Sequence, residues 1–210
     1  MKPIIAIDGP AAAGKGTLAR RLASTLGLPY LDTGLLYRAV GRLVLDGGGD
    51  PADPATAEAA ARSLRPEDLD RSDLRGPQAD AAAASVASIP NVRAALLAFQ
   101  RDFATGNGAV LDGRDIGTVI FPDASAKLFV TASLTERARR RWLELRAKDV
   151  DTDIATVEED MRQRDAKDAA RSAAPLREAH DAYRLDTSEM DAETAFQSAL
   201  VFVRRRIGRV

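Results

Sequence analysis

Gly9-Pro10-Ala11-Ala12-Ala13-Gly14-Lys15-Gly16-Thr17 stands between Ile4-Ile5-Ala6-Ile7-Asp8 and a run in which Leu18, Leu22 and Leu26 recur every fourth residue. The first flank is short and nearly all apolar, which fits a strand covered on both faces, as in a parallel sheet. The second flank predicts a helix from Lys15 to Leu26, with Gly27 as its stop. Between them the glycines let the backbone curl so that successive N–H groups point inward at phosphate oxygens. The helix that follows presents its positive end to the same anion. Lys15 supplies a cation for the outer phosphates. The usual pattern places Ser or Thr directly after the lysine; here Gly16 intervenes and Thr17 takes the hydroxyl role. A glycine-rich turn needed only for packing leaves Lys15 unexplained, so phosphate binding by Gly9 to Thr17 is the expectation.

Working outward, Leu28 to Leu31 reads as a second strand and Leu35 to Leu45 as a helix closed by Gly47-Gly48-Gly49. From Asp46 to Asp80 the chain holds nine acids and four arginines, broken by Pro51, Pro54, Pro66 and Pro77. This predicts a small polar insert with one helix, Thr56 to Leu64. Gln78 to Phe103 is helical with a break at Pro90. Further strands are expected at Ala109–Asp112, Ala126–Val130 and Ala182–Leu185. Helices are expected over Leu134–Lys148, Thr156–Ala170 and Ser188–Ile207, the last burying Phe196, Leu200, Val203 and Ile207. Strands alternating with helices imply a parallel sheet with helices on both faces.

Thirty Lys and Arg against thirty-one Asp and Glu leave a net charge of −1 over 210 residues, which argues against a binder of polymeric nucleic acid. The absence of cysteine excludes disulfides, thiolate chemistry and every cysteine-ligated metal site. A single histidine, His180, leaves no room for a multi-histidine metal centre, and it reads as a surface helix residue. No apolar run approaches the length of a membrane span. The opening Met1-Lys2-Pro3 enters strand-like sequence at once, so no signal peptide is expected and a cytoplasmic location is.

The Gly-Lys-Gly-Thr form of the loop resembles the nucleoside monophosphate kinases. Three further blocks narrow the resemblance to the bacterial cytidylate kinases: Leu31-Asp32-Thr33-Gly34-Leu35-Leu36-Tyr37-Arg38, Asp112-Gly113-Arg114-Asp115-Ile116-Gly117-Thr118-Val119, and Arg164-Asp165 through Asp168 to Arg171-Ser172-Ala173-Ala174-Pro175-Leu176. Adenylate kinases carry Asp-Gly-Phe-Pro-Arg where this chain has Asp-Gly-Arg-Asp. The resemblance implies one P-loop kinase domain over 1–210: a core of about 1–45, 104–135 and 180–210, an acceptor-binding insert of about 46–103, and a helical lid of about 136–179. Its five-stranded parallel sheet would run in the order 2-3-1-4-5. The implied reaction is ATP-dependent phosphorylation of CMP and dCMP with Mg²⁺, by a monomer acting on small nucleotides. Another small acceptor, such as UMP, AMP or shikimate, is the alternative.

A kinase that joins two polyanions works mainly by positioning and positive charge. Lys15, Arg114, Arg164 and Arg171 are the expected catalytic cations, and Thr17 the hydroxyl beside Mg²⁺. The resemblance assigns Arg38, Arg114 and Arg171 to the acceptor phosphate, although Arg38 alone also reads as a solvated helix charge. It places Thr33, Tyr37 and Asp112 in the same acceptor-binding set. Asp115 and Arg93 are assigned to the base, because a carboxylate can accept from cytosine N4 whereas uracil O4 would face its lone pairs. The family places a serine nine residues before that arginine; this chain has Ala84 there, with Ser85 adjacent, so either Ser85 substitutes through a small helix rotation or one base contact is missing. Arg164, Lys167, Asp168 and Arg171 share one helix face, which reads either as a solvated ion-paired surface or, by resemblance, as lid residues with Arg164 and Asp168 toward the ribose. Which of Arg137, Arg139, Arg140 and Arg141 faces inward stays open. The acidic stretch Arg65 to Asp73 lacks the alternating pattern of the family's small antiparallel sheet, so a reduced acceptor-side insert is predicted, with the Arg75 region retained.

Overall fold

A computed structural model describes residues 2–171 and 173–208. The elements in chain order are β1 (Ile4–Asp8), α1 (Lys15–Leu26), β2 (Tyr30–Asp32), α2 (Thr33–Asp46), α3 (Pro54–Ser63), α4 (Pro77–Val86), α5 (Pro90–Ala104), β3 (Ala109–Gly113), β4 (Ala126–Thr131), α6 (Leu134–Arg146), α7 (Ile154–Ala170), β5 (Tyr183–Asp186) and α8 (Ala192–Ile207). A 3-10 turn at Pro66–Asp70 and a π-helical turn at Ile116–Ile120 complete them. The chain divides into two compact units, Met1–Leu31 with Gly106–Val210, and Asp32–Thr105.

The five strands form one sheet in the order β2-β3-β1-β4-β5, as expected. β1 runs parallel to β3, with Ile5 opposite Val110, and parallel to β4, with Ile7 opposite Leu128; β4 runs parallel to β5. Ile5, Ile7, Val110, Leu128, Val130 and Leu185 of the strands pack with Leu18 and Leu22 of α1 and with Phe196, Leu200 and Val203 of α8. Fully burying each such side chain contributes about 1.5–3 kcal/mol. Ile207 lies at the edge of this cluster, partly exposed. A second cluster joins Ala138 of α6 to Val157 and Met161 of α7, with Ala11 and Ala12 packed against it.

Several boundaries shift for local reasons. The second strand starts at Tyr30 rather than Leu28, because the Leu28 N–H is taken by the Ala23 carbonyl in the C-cap of α1. The last helix starts at Ala192 rather than Ser188. Asp191 caps it by accepting from Thr194 N at 2.7 Å, while Ser188 is held by Asp186 through its N–H and its hydroxyl. His180 is exposed but lies in a turn before β5, not in a helix.

The unit Asp32–Thr105 is helical apart from its 3-10 turn, and no strand occurs among its residues beyond the end of β2. Asp53 starts α3 by accepting from Thr56 N at 2.8 Å. The acidic stretch 65–73 is tied to α2 by charge: Arg42 and Arg71 each pair with both Asp46 and Asp73. Arg75 lies 4.0 Å from Asp32.

Candidate active site

The loop after β1 is shaped by what it cannot hold. A Cβ on Gly9, whose φ is 147°, would sit 1.9 Å from the Val130 carbonyl oxygen of β4. Ala12 adopts a left-handed φ of 57°, and Gly14 at φ 89° forms the N-cap of α1 without a side-chain capping bond. No acid occupies the first turn of α1. A helix start without a side-chain cap, at the end of a curled loop, can receive an anion. Lys15 is buried there and donates to the Pro10 carbonyl at 2.7 Å. Burial and the Arg114 guanidinium push its ammonium down to about 7, against the pull of Asp112 and Asp8.

Gly16 has a structural reason. A Cβ there would lie 3.3 Å from Asp112 Oδ2 and 3.7 Å from the Tyr30 hydroxyl. Asp112 is buried at the end of β3 and accepts from the Tyr30 hydroxyl at 3.2 Å. A bare Gly16 therefore lets a carboxylate approach the first turn of α1, and Thr17, exposed one position on, carries the hydroxyl.

Arg114 follows β3 directly, at the carboxyl end of the strand where ligands bind in open α/β sheets. Its Nε donates to Asp168 Oδ2 at 2.8 Å, and Arg171 donates to Asp168 Oδ1. Burial pushes the Asp168 carboxyl up, but Arg114 and Arg171 outweigh it and hold it below the usual range. Arg164 adds a weaker charge to Lys15 and Asp168 alike. The shared-face reading thus divides: Asp168 is buried between arginines, whereas Lys167 is exposed. Asp115 is also buried. Of Ser172, quoted in the same block, nothing is described.

The second unit holds the remaining expected residues. Thr33 is buried at the first position of α2. Arg38 Nε donates to Asp80 Oδ1 at 2.9 Å, so it is ion-paired rather than simply solvated. The Arg93 guanidinium lies 5.4 Å from the Tyr37 ring centre and donates to the Ala87 carbonyl at 3.3 Å. Ala84 and Ser85 are both half-buried on α4, and the Ser85 hydroxyl donates back to Ala81 O at 3.3 Å.

A family model for cytidylate kinase matches residues 5–205. The chain belongs to the cytidylate kinase family. The cytidylate kinase of Granulibacter bethesdensis is 64% identical over 206 residues, covering 98% of this chain and 99% of its own length. That of Acidiphilium cryptum is 62% identical over 206 residues, covering 98% and 97%. A solved structure of an uncharacterized protein from Eubacterium ventriosum superposes with a TM-score of 0.58 at 14% identity, over 96% of this chain and 98% of that one, which bears on the fold alone.

Within this cytidylate kinase fold, Arg137 and Arg140, whose orientation the motifs left open, and Thr187, which they passed over, support the loop, while Asp8 braces the turn after Asp115. Arg137, buried, donates to Ala132 O at 3.0 Å, to Ala11 O at 3.4 Å and to Asp165 Oδ2 at 2.7 Å. The Thr187 hydroxyl lies 3.2 Å from Ala13 O and receives Arg140 Nη1 at 3.0 Å. Asp8 binds two backbone amides of the turn after Asp115. Helical periodicity offered one signal, since Arg137 shares a face with Leu134, Ala138 and Leu145. Nothing local marks Thr187 or Asp8.

Proposed function

We propose that this chain moves the terminal phosphoryl group of ATP to the 5′-phosphate of CMP or dCMP, giving ADP and the corresponding diphosphate. The observation that carries the reading is the cation set in one unit: Lys15 at an uncapped helix start, with Arg114, Arg164 and Arg171 gathered around Asp168. In the transfer an acceptor phosphate oxygen bonds to the γ-phosphorus as its bond to the β,γ-bridging oxygen breaks, and negative charge shifts onto ADP. Lys15 and the loop amides of Gly9 to Thr17 hold donor phosphates. Arg114 and Arg171 turn from Asp168 toward the acceptor phosphate, where a guanidinium fork matches two oxygens. Asp168 then accepts from a ribose hydroxyl, with Arg164 beside it.

Among the described residues no group of three or more His, Asp or Glu could cage a metal. One hydroxyl, Thr17, and one nearby carboxylate, Asp112, fit Mg²⁺ that is held chiefly by nucleotide phosphates and water. Bound there, Mg²⁺ would neutralise charge on the phosphates. Asp115 and Arg93 are assigned to the base, with Ser85, Thr33, Tyr37, Arg38 and Asp112 completing the acceptor set. The proposal keeps the expected setting: a monomer in the cytoplasm, acting on small nucleotides.

ADP release measured with Mg²⁺-ATP and equal concentrations of CMP, dCMP, UMP or AMP, against a control without acceptor, tests the reading. CMP and dCMP should turn over far faster than UMP and AMP. Equal turnover of UMP would remove the base assignment, and ADP release independent of acceptor would remove the kinase.

A further inference from the structure

Thr187 directly follows β5 and is 5% exposed. Its hydroxyl receives Arg140 Nη1 at 3.0 Å, and the same guanidinium donates to the Thr187 carbonyl at 2.6 Å and to Glu136 at 2.8 Å. That fixed donor occupies a lone pair of the hydroxyl, so its single proton turns toward the other oxygens in reach. These are Ala13 O of the phosphate loop at 3.2 Å and Thr131 O of β4 at 3.1 Å. Thr131 O already accepts the Thr187 N–H at 2.8 Å, whereas Ala13 O has no other donor among the described residues. Ala13 is fully buried, so its carbonyl is the one that needs the proton.

The direction of that carbonyl fixes the direction of an amide. In a trans peptide the C=O and N–H point to opposite sides, and no cis peptide bond occurs among the described residues. With Ala13 O held toward Thr187, the Gly14 N–H points away from it, at the N-cap of α1. Arg137 acts alike on the peptide between Ala11 and Ala12, donating to Ala11 O at 3.4 Å. Neither the Ala12 nor the Gly14 N–H has a hydrogen-bond partner among the described residues. Ala12 keeps its left-handed φ of 57° between these two tethers. Two loop carbonyls are thus taken by α6 and the turn after β5, which leaves the opposite amides for an anion.

Plainer roles for Thr187 leave its hydroxyl without purpose. Joining β5 to β4 needs only the Thr187 N–H, which any residue but proline supplies. The start of α8 is capped by Asp191. Filling the space needs only a valine, which has the same shape.

We propose that Thr187 is a positioning residue for the donor: its hydroxyl, oriented by Arg140, holds the Ala13 carbonyl so that the Gly14 N–H faces the donor phosphates. It acts through the backbone and has no part in reading either base. The inference rests on the assignment of the donor phosphates to the loop Gly9 to Thr17.

The test compares dissociation constants for ATP, tripolyphosphate and CMP, each from a calorimetric titration with Mg²⁺ present. An unfolded fraction alters the fitted stoichiometry, so the constants report folded protein. Thr187→Val keeps the shape and removes the proton. Kd for ATP and for tripolyphosphate should both rise about fivefold, the worth of about one hydrogen bond, with Kd for CMP changed by less than about twofold. Thr187→Ser, which keeps the hydroxyl, should leave both within about twofold of the unaltered protein. Arg140→Met should raise the same two constants and add nothing further in a Thr187→Val background. Thr187→Ala removes the hydroxyl without setting a methyl group against polar neighbours, and serves if Thr187→Val fails to fold. A rise for ATP without one for tripolyphosphate would place Thr187 at the nucleoside, and equal rises for all three ligands would make its role structural. Either result overturns the proposal, as do effects of Arg140→Met and Thr187→Val that multiply. If Lys15→Met binds tripolyphosphate as tightly as the unaltered protein, or neither binds it, the assignment of the loop to donor phosphates falls. If Lys15→Met weakens tripolyphosphate while Thr187→Val and Thr187→Ala do not, only the role of Thr187 falls.

Discussion

Arg114 Nε and Asp168 Oδ2 lie 2.8 Å apart and join the end of β3 to the last turn of α7 across 54 residues. Arg171 takes the second oxygen of the same carboxylate, so one buried acid holds two arginines. Asp168→Asn keeps the shape and removes the charge. It should lower kcat/KM for CMP by about a hundredfold or more, because Arg114 and Arg171 lose their alignment. It should also destabilise the fold by about 1–3 kcal/mol, as Arg114 is partly hydrated. The folded Asp168 carboxyl sits below its usual value, so its contribution is full above about pH 4 and lost as pH falls through the lower folded value. Melting curves of both proteins should therefore converge below about pH 4; a gap that stays constant would show that the charge is not what stabilises.

Lys15 carries a second prediction. Its ammonium is pushed down to about 7 by burial and Arg114, so without nucleotide it is largely neutral at about pH 8. The folded protein then binds fewer protons than the unfolded chain between about pH 7 and pH 10, and this group makes stability rise with pH across that window. Donor phosphates favour the charged form. ATP binding at about pH 8 should take up a fraction of a proton, read as a dependence of calorimetric enthalpy on buffer ionisation. Lys15→Met should abolish that uptake together with phosphoryl transfer. Uptake that survives in Lys15→Met would assign the proton to another group.

The stretch from Ile4 to Gly27 was legible because its signals are local: apolar run, glycine-rich loop, periodic leucines and a left-handed Gly27 cap follow one another in sequence, although β1 itself is held by β3 and β4. Pro90 likewise divides α4 from α5 as its missing N–H and fixed φ require. The acceptor-phosphate and ribose candidates came from motifs, and the Arg114–Asp168–Arg171 cluster then gave them a geometry. What sequence left hidden depends on partners remote in the chain. The π-helical turn at Ile116 follows no hydrophobic period and rests on Asp8, 108 residues earlier. Arg137, Arg139, Arg140 and Arg141 of α6 look alike as letters, yet Arg137 is buried against the phosphate loop, Arg140 grips Thr187, and Arg139 is exposed and pairs with Glu136. Only packing separates them.

Gly16 gives a prediction in which stability and activity part company. It lies inside α1 with a backbone that alanine can adopt, and Gly→Ala within a helix is worth about 0.5–1 kcal/mol. The new Cβ would press on Asp112 Oδ2 at 3.3 Å, and that oxygen also receives the Tyr30 hydroxyl. Gly16→Ala should thus hold or raise the melting temperature while kcat falls about tenfold through a displaced Asp112. Undiminished kcat would mean that the close approach of Asp112 to the helix start serves packing alone.

Ala84 and Ser85 place the last prediction on α4. Where the resemblance places a serine, nine residues before Arg93, this chain offers a methyl group, and the neighbouring Ser85 hydroxyl is bonded back to Ala81 O at 3.3 Å. Such a back-bond is weak and local, but it turns the hydroxyl onto its own helix. Successive helix positions also differ by about 100° in direction, so Ser85 cannot reproduce the aim of position 84 without turning the helix. Ala84→Ser should lower KM for CMP several-fold, the worth of about one hydrogen bond, and leave KM for ATP unchanged. Ser85→Ala should change both by less than about twofold. If Ser85→Ala instead raises KM for CMP by as much as Ala84→Ser was expected to lower it, α4 turns when CMP binds, and Ser85 is the base contact.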